Sequence, residues 1–456
     1  MILLTRWLGF GLGLYVALLP WQTRLILAQP RIGVTPTEYG TLSLYATDIL
    51  LILIAVGAGF FPLQKKLSRT LWTAIIALGI VIFGSIIFAN RSDVALYSVR
   101  LFILGVLLWW VVQQEWVKPK FLLGCFVAGA VLQAIFGIGQ FIAQTSPAFS
   151  WLGLAVHDPA VSGTSVVEAG GMRWLRAYGS LPHPNILGGY LAVALLLTFG
   201  FYLRAYEDVR AGFAKWTREN VRRHLEGKRW YAKQAWRIAG LLAILTVLML
   251  GLLLTFSRSA WIGFAAGWGV TLVLLALLRW PWGWQLWAKW SLFLIVIAGF
   301  VIFILPQPFL TRTEASGRLE SQSISERQQQ IKDAYALIKL EPVRGVGYGN
   351  MPVAIYDKLE RARESIHNYQ PVHNIYLLSM VELGVVGGLV YLAFLLTALR
   401  QQILQFFRER TWVSVVTLGA FTSLLVIGLL DHYVWTLSAG TMLLWLVVGL
   451  GSKPRE

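Results

Sequence analysis

Twelve runs of mostly apolar residues, each close to the length that crosses a bilayer, leave this chain few folds to choose from. A hydrocarbon core about 30 Å thick is crossed by roughly 20 residues of helix. The runs lie at 2–20, 42–61, 71–89, 95–114, 121–145, 186–203, 238–256, 260–278, 286–305, 374–399, 412–430 and 434–451. The expected fold class is therefore all-α, a polytopic membrane protein with about 12 transmembrane helices. Composition agrees: 57% of the residues are hydrophobic and 13% charged, about half the charge that a soluble surface draws on. The formal net charge of +17 then has to be located.

With the N-terminus on the cytoplasmic side, the inner loops are 62–70, 115–120, 204–237, 279–285 and 400–411, together with both termini. Counting boundary residues with their loops, they collect 23 Lys and Arg against seven acids, so +16 of the +17 lies on that face. Short inner loops rich in Lys and Arg are what orientation requires. The basic excess thus reports a lipid bilayer as partner and argues against nucleic acid. Trp7 and Trp21, near the ends of the first run, suit a helix anchored at both interfaces better than a cleaved leader. Cys125 is the single cysteine and lies within an apolar run, so no disulfide framework exists.

Three parts follow from this map: membrane helices 1–9 over residues 1–305, an outer loop over 306–373, and membrane helices 10–12 over 374–456. The first part holds an outer connection, 146–185, and a basic inner loop, 204–237. A 306–373 connection is too long to be a simple link. Ser323-x-x-Glu326 reads as a capping box opening an amphipathic helix with Ile331, Ala334, Tyr335 and Ile338 on one face, closed by Pro342 and Gly345. A second outer helix is expected near Pro352. Gly345-x-Gly347-x-Gly349 has no preceding strand and reads as a flexible turn rather than a nucleotide loop.

Five of the six histidines, at 157, 183, 367, 373 and 432, fall on the outer side, and ionisable groups near membrane depth are functional candidates by default. His373 stands at the junction of the long loop and the tenth run. Arg258 is flanked by Ser257 and Ser259, Arg176 precedes Gly179 and the His183-Pro184-Asn185 turn, and Arg100 lies in the fourth run. Arginines gathered at one boundary fit a phosphate-bearing lipid headgroup, because guanidinium pairs bidentately with phosphate oxygens. No metal-ligand motif appears in the sequence, and metal-dependent glycosyl transfer is disfavoured. Asp48, inside a run, is the one acid suited to ion-coupled transport.

These residues resemble a known family. His373-Asn374, nine residues, then Gly384-Val385-Val386-Gly387 is similar to the His-Asn-x9-Gly-x-x-Gly signature of the O-antigen ligase and Wzy-type polymerase superfamily. Ser325-Glu326-Arg327, Pro342 and Gly345 to Asn350 resemble its outer loop. Arg176-x-x-Gly179 with His183-Pro184-Asn185, and Ser257-Arg258-Ser259-Ala260-Trp261, resemble two further blocks, together covering residues from about 173 to 390. The resemblance implies transfer of a glycan from an undecaprenyl-diphosphate carrier to a glycan, glycolipid or protein acceptor, on the outer face of the bacterial inner membrane, with no cofactor and no metal. Within it His373 is expected as general base and Arg258 and Arg176 as cations stabilising the leaving diphosphate. Asn374, Arg327, Arg344, Arg100, His183, Asn185 and Tyr348 are expected to contact substrate, with Tyr369, Trp151 and Trp174 as further sugar-stacking aromatics. A ligase is favoured, a polymerase is the alternative, and a glycolipid transporter or flippase is the alternative of another class.

Overall fold

The computed structural model describes residues 2–61, 68–218, 224–280, 282–314, 317–359 and 368–453. Among the described residues, eight helices are long and apolar enough to cross a membrane: α3 (Arg69–Ile87), α4 (Ser92–Val112), α5 (Pro119–Ala143), α6 (Pro184–Arg218), α7 (His224–Leu254), α8 (Arg258–Leu277), α9 (Gly283–Ile304) and α13 (Ile375–Glu409). Shorter apolar helices, α1 (Ile2–Ala17), α2 (Ala46–Ala58), α14 (Trp412–Gly428) and α16 (Ser438–Ser452), occupy the other four expected runs. The chain is predominantly helical, with an addition the apolar pattern does not announce: three two-stranded antiparallel hairpins. Strand β1 (Arg24–Ala28) pairs with β4 (Leu42–Tyr45), β2 (Arg31–Ile32) with β3 (Thr35–Pro36), and β5 (Val166–Ala169) with β6 (Met172–Leu175).

Helix α6 forms the centre: 89% of its apolar window is buried, against 17% for α9 at the edge. Helix α8 packs on α14 through small residues. A Cβ at Gly267 would stand 2.5 Å from the Gly419 carbonyl oxygen, and one at Gly263 would stand 2.4 Å from Ile427. Such small-residue stripes let backbones approach closely where lipid removes the hydrophobic drive between helices. The acid singled out for transport is accounted for here. Asp48 accepts from the Tyr45 backbone N–H at the start of α2 and pairs with Arg100 at 2.6 Å, so it anchors α2 to α4.

The long connection after α9 folds as α10 (Pro306–Glu314), α11 (Arg318–Leu340) and α12 (Met351–Leu359). Helix α11 begins five residues before the expected capping box. Gly317, at φ 99°, turns the chain into it, and Glu320 in its first turn is tied to α10 by an ion pair with Arg312, so Ser323 and Glu326 lie inside the helix. Its inward face also differs from the expected one. Gln330, Asp333, Ala334 and Leu337 are buried, whereas Ile331 and Tyr335 are 43% and 57% exposed. The apolar pattern alone misassigns this face because its inner partners are polar.

The glycine turn is pinned, not flexible. Helix α13 breaks at Gly384, with φ 74° and ψ 168°, and the turn inserts there. Val346 N donates to the Val381 carbonyl and Gly347 N to that of Glu382, while Val385 N donates to Pro342. Gly345, Gly347 and Gly349 have φ of 68°, 96° and 76°, conformations that cost any other L-residue. A Cβ on Gly345 would also lie 2.3 Å from Gly384 N.

Candidate functional site

The ends of α6, α7, α8, α13 and α14 on one side of the bundle converge on one polar layer. The α7–α8 corner is its floor: Phe256 adopts a left-handed φ of 48°, and Ser257 caps α8 by accepting from Ala260 N. This exposes the carbonyls of Thr255 and Phe256 at the helix ends, where unsatisfied acceptors draw cations. Arg176, buried, donates through Nε to Thr255 O at 2.7 Å and through Nη2 to Asn185 Oδ1 at 2.7 Å. Asn185 in turn donates to Asp431 Oδ2 at 2.8 Å. Asp431 Oδ1 accepts from the His432 backbone N–H at 2.9 Å, in the turn between α14 and the short helix α15 (Tyr433–Thr436). The His432 ring meets the His373 ring edge-on, with centroids 4.8 Å apart. His373 Nδ1 lies 2.7 Å from Gln330 Oε1 on α11. One connected set thus runs from Arg176 to α11 through groups scattered over more than 250 positions of sequence.

A second set adjoins it. Arg312 of α10 donates through Nε and Nη2 to Phe256 O, at 3.0 and 2.7 Å, and pairs with Glu320. Arg258 pairs with the same Glu320 at 3.0 Å and donates to the Arg312 carbonyl at 3.2 Å. Arg258 remains about a third exposed and Arg312 is buried. Arg327, one helical turn before Gln330, is half-buried and its charge acts on His373, Asp431, His432 and Arg312.

Burial sets the protonation of this layer. Loss of water holds His373 far below its ordinary value of 6.5, at about 3, with His432 and Arg327 adding to the effect and Asp431 opposing it. His183 is likewise lowered to about 3 by burial and by Arg176, and His432 is lowered by burial against the pull of Asp431. For Asp431, burial opposes the charged form, but His373, His432, His183 and Arg327 outweigh it and keep the carboxyl below its ordinary range. Burial pulls Arg176 well below its ordinary value, with Arg312 adding to it. The layer is therefore a buried set of closely spaced arginines and neutral imidazoles with two carboxylates, Asp431 and Glu320, an environment whose arginines favour a nearby anion.

The structure brings His373, Arg176, His183 and Asn185 into one connected set, with Arg258 and Arg327 beside it. Other expected substrate contacts are placed elsewhere. Arg100 is held by Asp48, the Ser43 carbonyl and the Tyr45 ring. Tyr348 is 3% exposed, with its ring against Trp435. Asn374 caps α13, accepting from Tyr376 N and Leu377 N, and Arg344 lies over the Phe88 ring. Of the sugar-stacking aromatics, Tyr369 is buried against Tyr356 and Trp174 stacks on Phe141, whereas Trp151 is 76% exposed. His367 lies outside the described residues.

Sequence reasoning passed over Asp431, Arg312, Glu320 and Gln330, and merely counted His432 among the outer histidines. For Asp431-His432 a signal existed, an ionisable pair between two apolar runs. For the other three nothing in the spacing marks them. The sequence also shows no metal motif, yet the fold assembles His373, Asp431 and His432 with one ligand atom each, all within 4.8 Å of one another, a group able to hold a metal ion.

Residues 240–392 match the family model described as O-antigen ligase. The matched segment, about a third of the chain, runs from within α7 to just past the break in α13. It contains the α7–α8 corner, Arg312, α11 and His373, and leaves Arg176, Asn185 and Asp431 outside. Among curated proteins, none matches the chain.

Proposed function

We propose that this chain, whose residues 240–392 match the O-antigen ligase family model, is a glycan transferase of the O-antigen ligase and polymerase superfamily and moves a glycan from an undecaprenyl-diphosphate-linked donor to an acceptor hydroxyl at the outer face of the membrane, without a metal. The observation that carries this reading is the neutral His373 in the same dry layer as Arg176, Arg258 and Arg327. The acceptor oxygen attacks the anomeric carbon of the donor sugar. Its proton passes to His373, the bond from the anomeric carbon to the diphosphate oxygen breaks, and the electron pair leaves with the diphosphate. The growing negative charge falls among the arginines, where preorganised cations in a water-poor site stabilise it most. Asp431 offsets the imidazolium that forms, as a carboxylate beside a general base does. Diphosphate entering the layer strengthens the base it needs, because anions beside His373 raise the affinity of the imidazole for a proton.

The test is transfer by purified protein in liposomes supplied with a lipid-diphosphate oligosaccharide. His373→Ala and Arg258→Ala should each abolish release of the carrier diphosphate, a base alone contributing about 10²- to 10⁴-fold, with expression unchanged; full activity in either removes that residue from the reaction. Glycan moved to a different terminal acceptor marks a ligase, and glycan extended by another lipid-linked repeat marks a polymerase. Movement of the lipid with no bond broken marks a transporter. EDTA should leave the rate unchanged. Loss of activity restored by Mn²⁺, Mg²⁺ or Zn²⁺ would shift the chemistry to a metal held by His373, Asp431 and His432.

A further inference from the structure

A neutral imidazole carries one ring hydrogen, and a base needs that hydrogen on the nitrogen that faces away from the reaction. We infer that Gln330 is a positioning residue for the proposed transfer: its amide oxygen, 2.7 Å from His373 Nδ1, holds the ring hydrogen there and leaves Nε2 free to take the acceptor's proton. The inference rests on the reading of His373 as the base.

Three observations support it. An amide oxygen only accepts, so the bond fixes the hydrogen on Nδ1. Gln330 is 4% exposed and stands on the inward face of α11 with Ala334 and Leu337, while Ile331 and Tyr335 face out. An amide in that position costs stability unless it is hydrogen-bonded, and the partner it has found is His373. Finally, His183 is set the opposite way. Its Nδ1 accepts from Asn185 N at 3.1 Å, which puts the hydrogen on Nε2 toward Ser165 Oγ at 2.9 Å. Two histidines of one layer are thus given opposite tautomers by their partners, and of these two only His373 is left with an uncommitted lone pair.

The tautomer is read directly from the ring ¹⁵N signals of histidine-labelled full-length protein in nanodiscs, a measurement that needs no turnover. Wild type should show His373 protonated at Nδ1, and Gln330→Met should lose that preference. In the transfer assay Gln330→Met should lower kcat by about ten- to a hundredfold, by analogy with the loss of a partner that orients a metal-bound imidazole, with KM nearly unchanged. Gln330→Glu, which also accepts from Nδ1–H, should restore most of kcat and move the acid limb of the rate to higher pH. The charged and titrating groups facing His373, namely Arg327 on α11, Asp431 and His432 after α14 and His183 before α6, are unchanged in both variants. Hydrogen on Nε2 in the wild type overturns the inference, as does a Gln330→Met protein with unaltered tautomer and kcat. Should Gln330→Met fail to fold, the wild-type and Gln330→Glu spectra decide. Activity in His373→Ala would sink the base assignment alone, leaving the tautomer result standing as a property of the resting site.

Discussion

At the scale of single residues, Asp431 has the largest untapped role. It joins Asn185 to the His432 backbone and is the only carboxylate acting on both His373 and His432 in the described layer. Asp431→Asn keeps the shape but removes the charge that favours a protonated His373, so kcat should fall about ten- to a hundredfold with the protein still folded; an unchanged kcat would reduce Asp431 to a spacer. The pH dependence follows from the same shifts. With His373 lowered to about 3, the free enzyme keeps its base neutral throughout the ordinary range, so kcat/KM should show no acid limb near 6.5. Bound diphosphate raises the group, and the acid limb of kcat should lie at higher pH than that of kcat/KM. An acid limb of kcat/KM at 6.5 would mean that the catalytic group is not this buried histidine. Stability carries the opposite face of the shift. Above about 6.5 neither folded nor unfolded chain protonates His373 or His183. Between there and about 3 the unfolded chain takes up protons that the folded one refuses, so stability is lost as pH falls through that window.

At the scale of elements, the interlock of α13 with the glycine turn is the feature most open to a single change. Gly384 at φ 74° has the Val343 carbonyl oxygen 2.1 Å from where a Cβ would stand. Gly384→Ala should therefore destabilise the protein by more than about 1–3 kcal/mol, the usual cost of a residue forced into such a conformation. Gly299→Ala in α9, whose Cβ would meet nothing within 4 Å, should be close to neutral. Thermal unfolding of both in the same detergent checks the contrast, and equal midpoints would mean the break tolerates a side chain. This level also shows what the sequence could and could not reveal. Apolar length located a helix at each expected run, eight of them long and apolar enough to cross a membrane and four shorter. It misplaced the start and inward face of α11, because Glu320 and Gln330 are held by Arg312 and His373 rather than by apolar packing. It read Arg100 as a site residue because an outer-boundary position does not disclose that Asp48, 52 residues away in sequence, already occupies it. His183, Asn185 and His373 stand at the start of a helix or just before one and Arg176 directly after β6, positions that the ends of the apolar runs mark.

At the scale of the whole molecule, connectivity separates two faces independently of any charge count. The layer around His373 lies at the first turns of α6, α8 and α13 and just after α14. The opposite ends of those helices carry Arg204 and Arg210, Arg279, and Arg408, and there Arg237 pairs with Asp208 and Arg210 lies over Trp282. The basic residues and the polar layer therefore cannot share a compartment if α6, α8 and α13 span the bilayer, which their length and composition allow. Because Lys and Arg in short loops stay on the cytoplasmic side, the His373 layer should face outward, where a lipid-linked donor and its acceptor meet. In a Cys125→Ser background, Ala160→Cys should react with an impermeant thiol reagent in intact cells. Lys233→Cys, an exposed position in the N-terminal part of α7, should react only after permeabilisation. The reverse pattern would turn the layer toward the cytoplasm and remove the outer-face transfer, whereas labelling of both sites in intact cells would mean that α6 does not span.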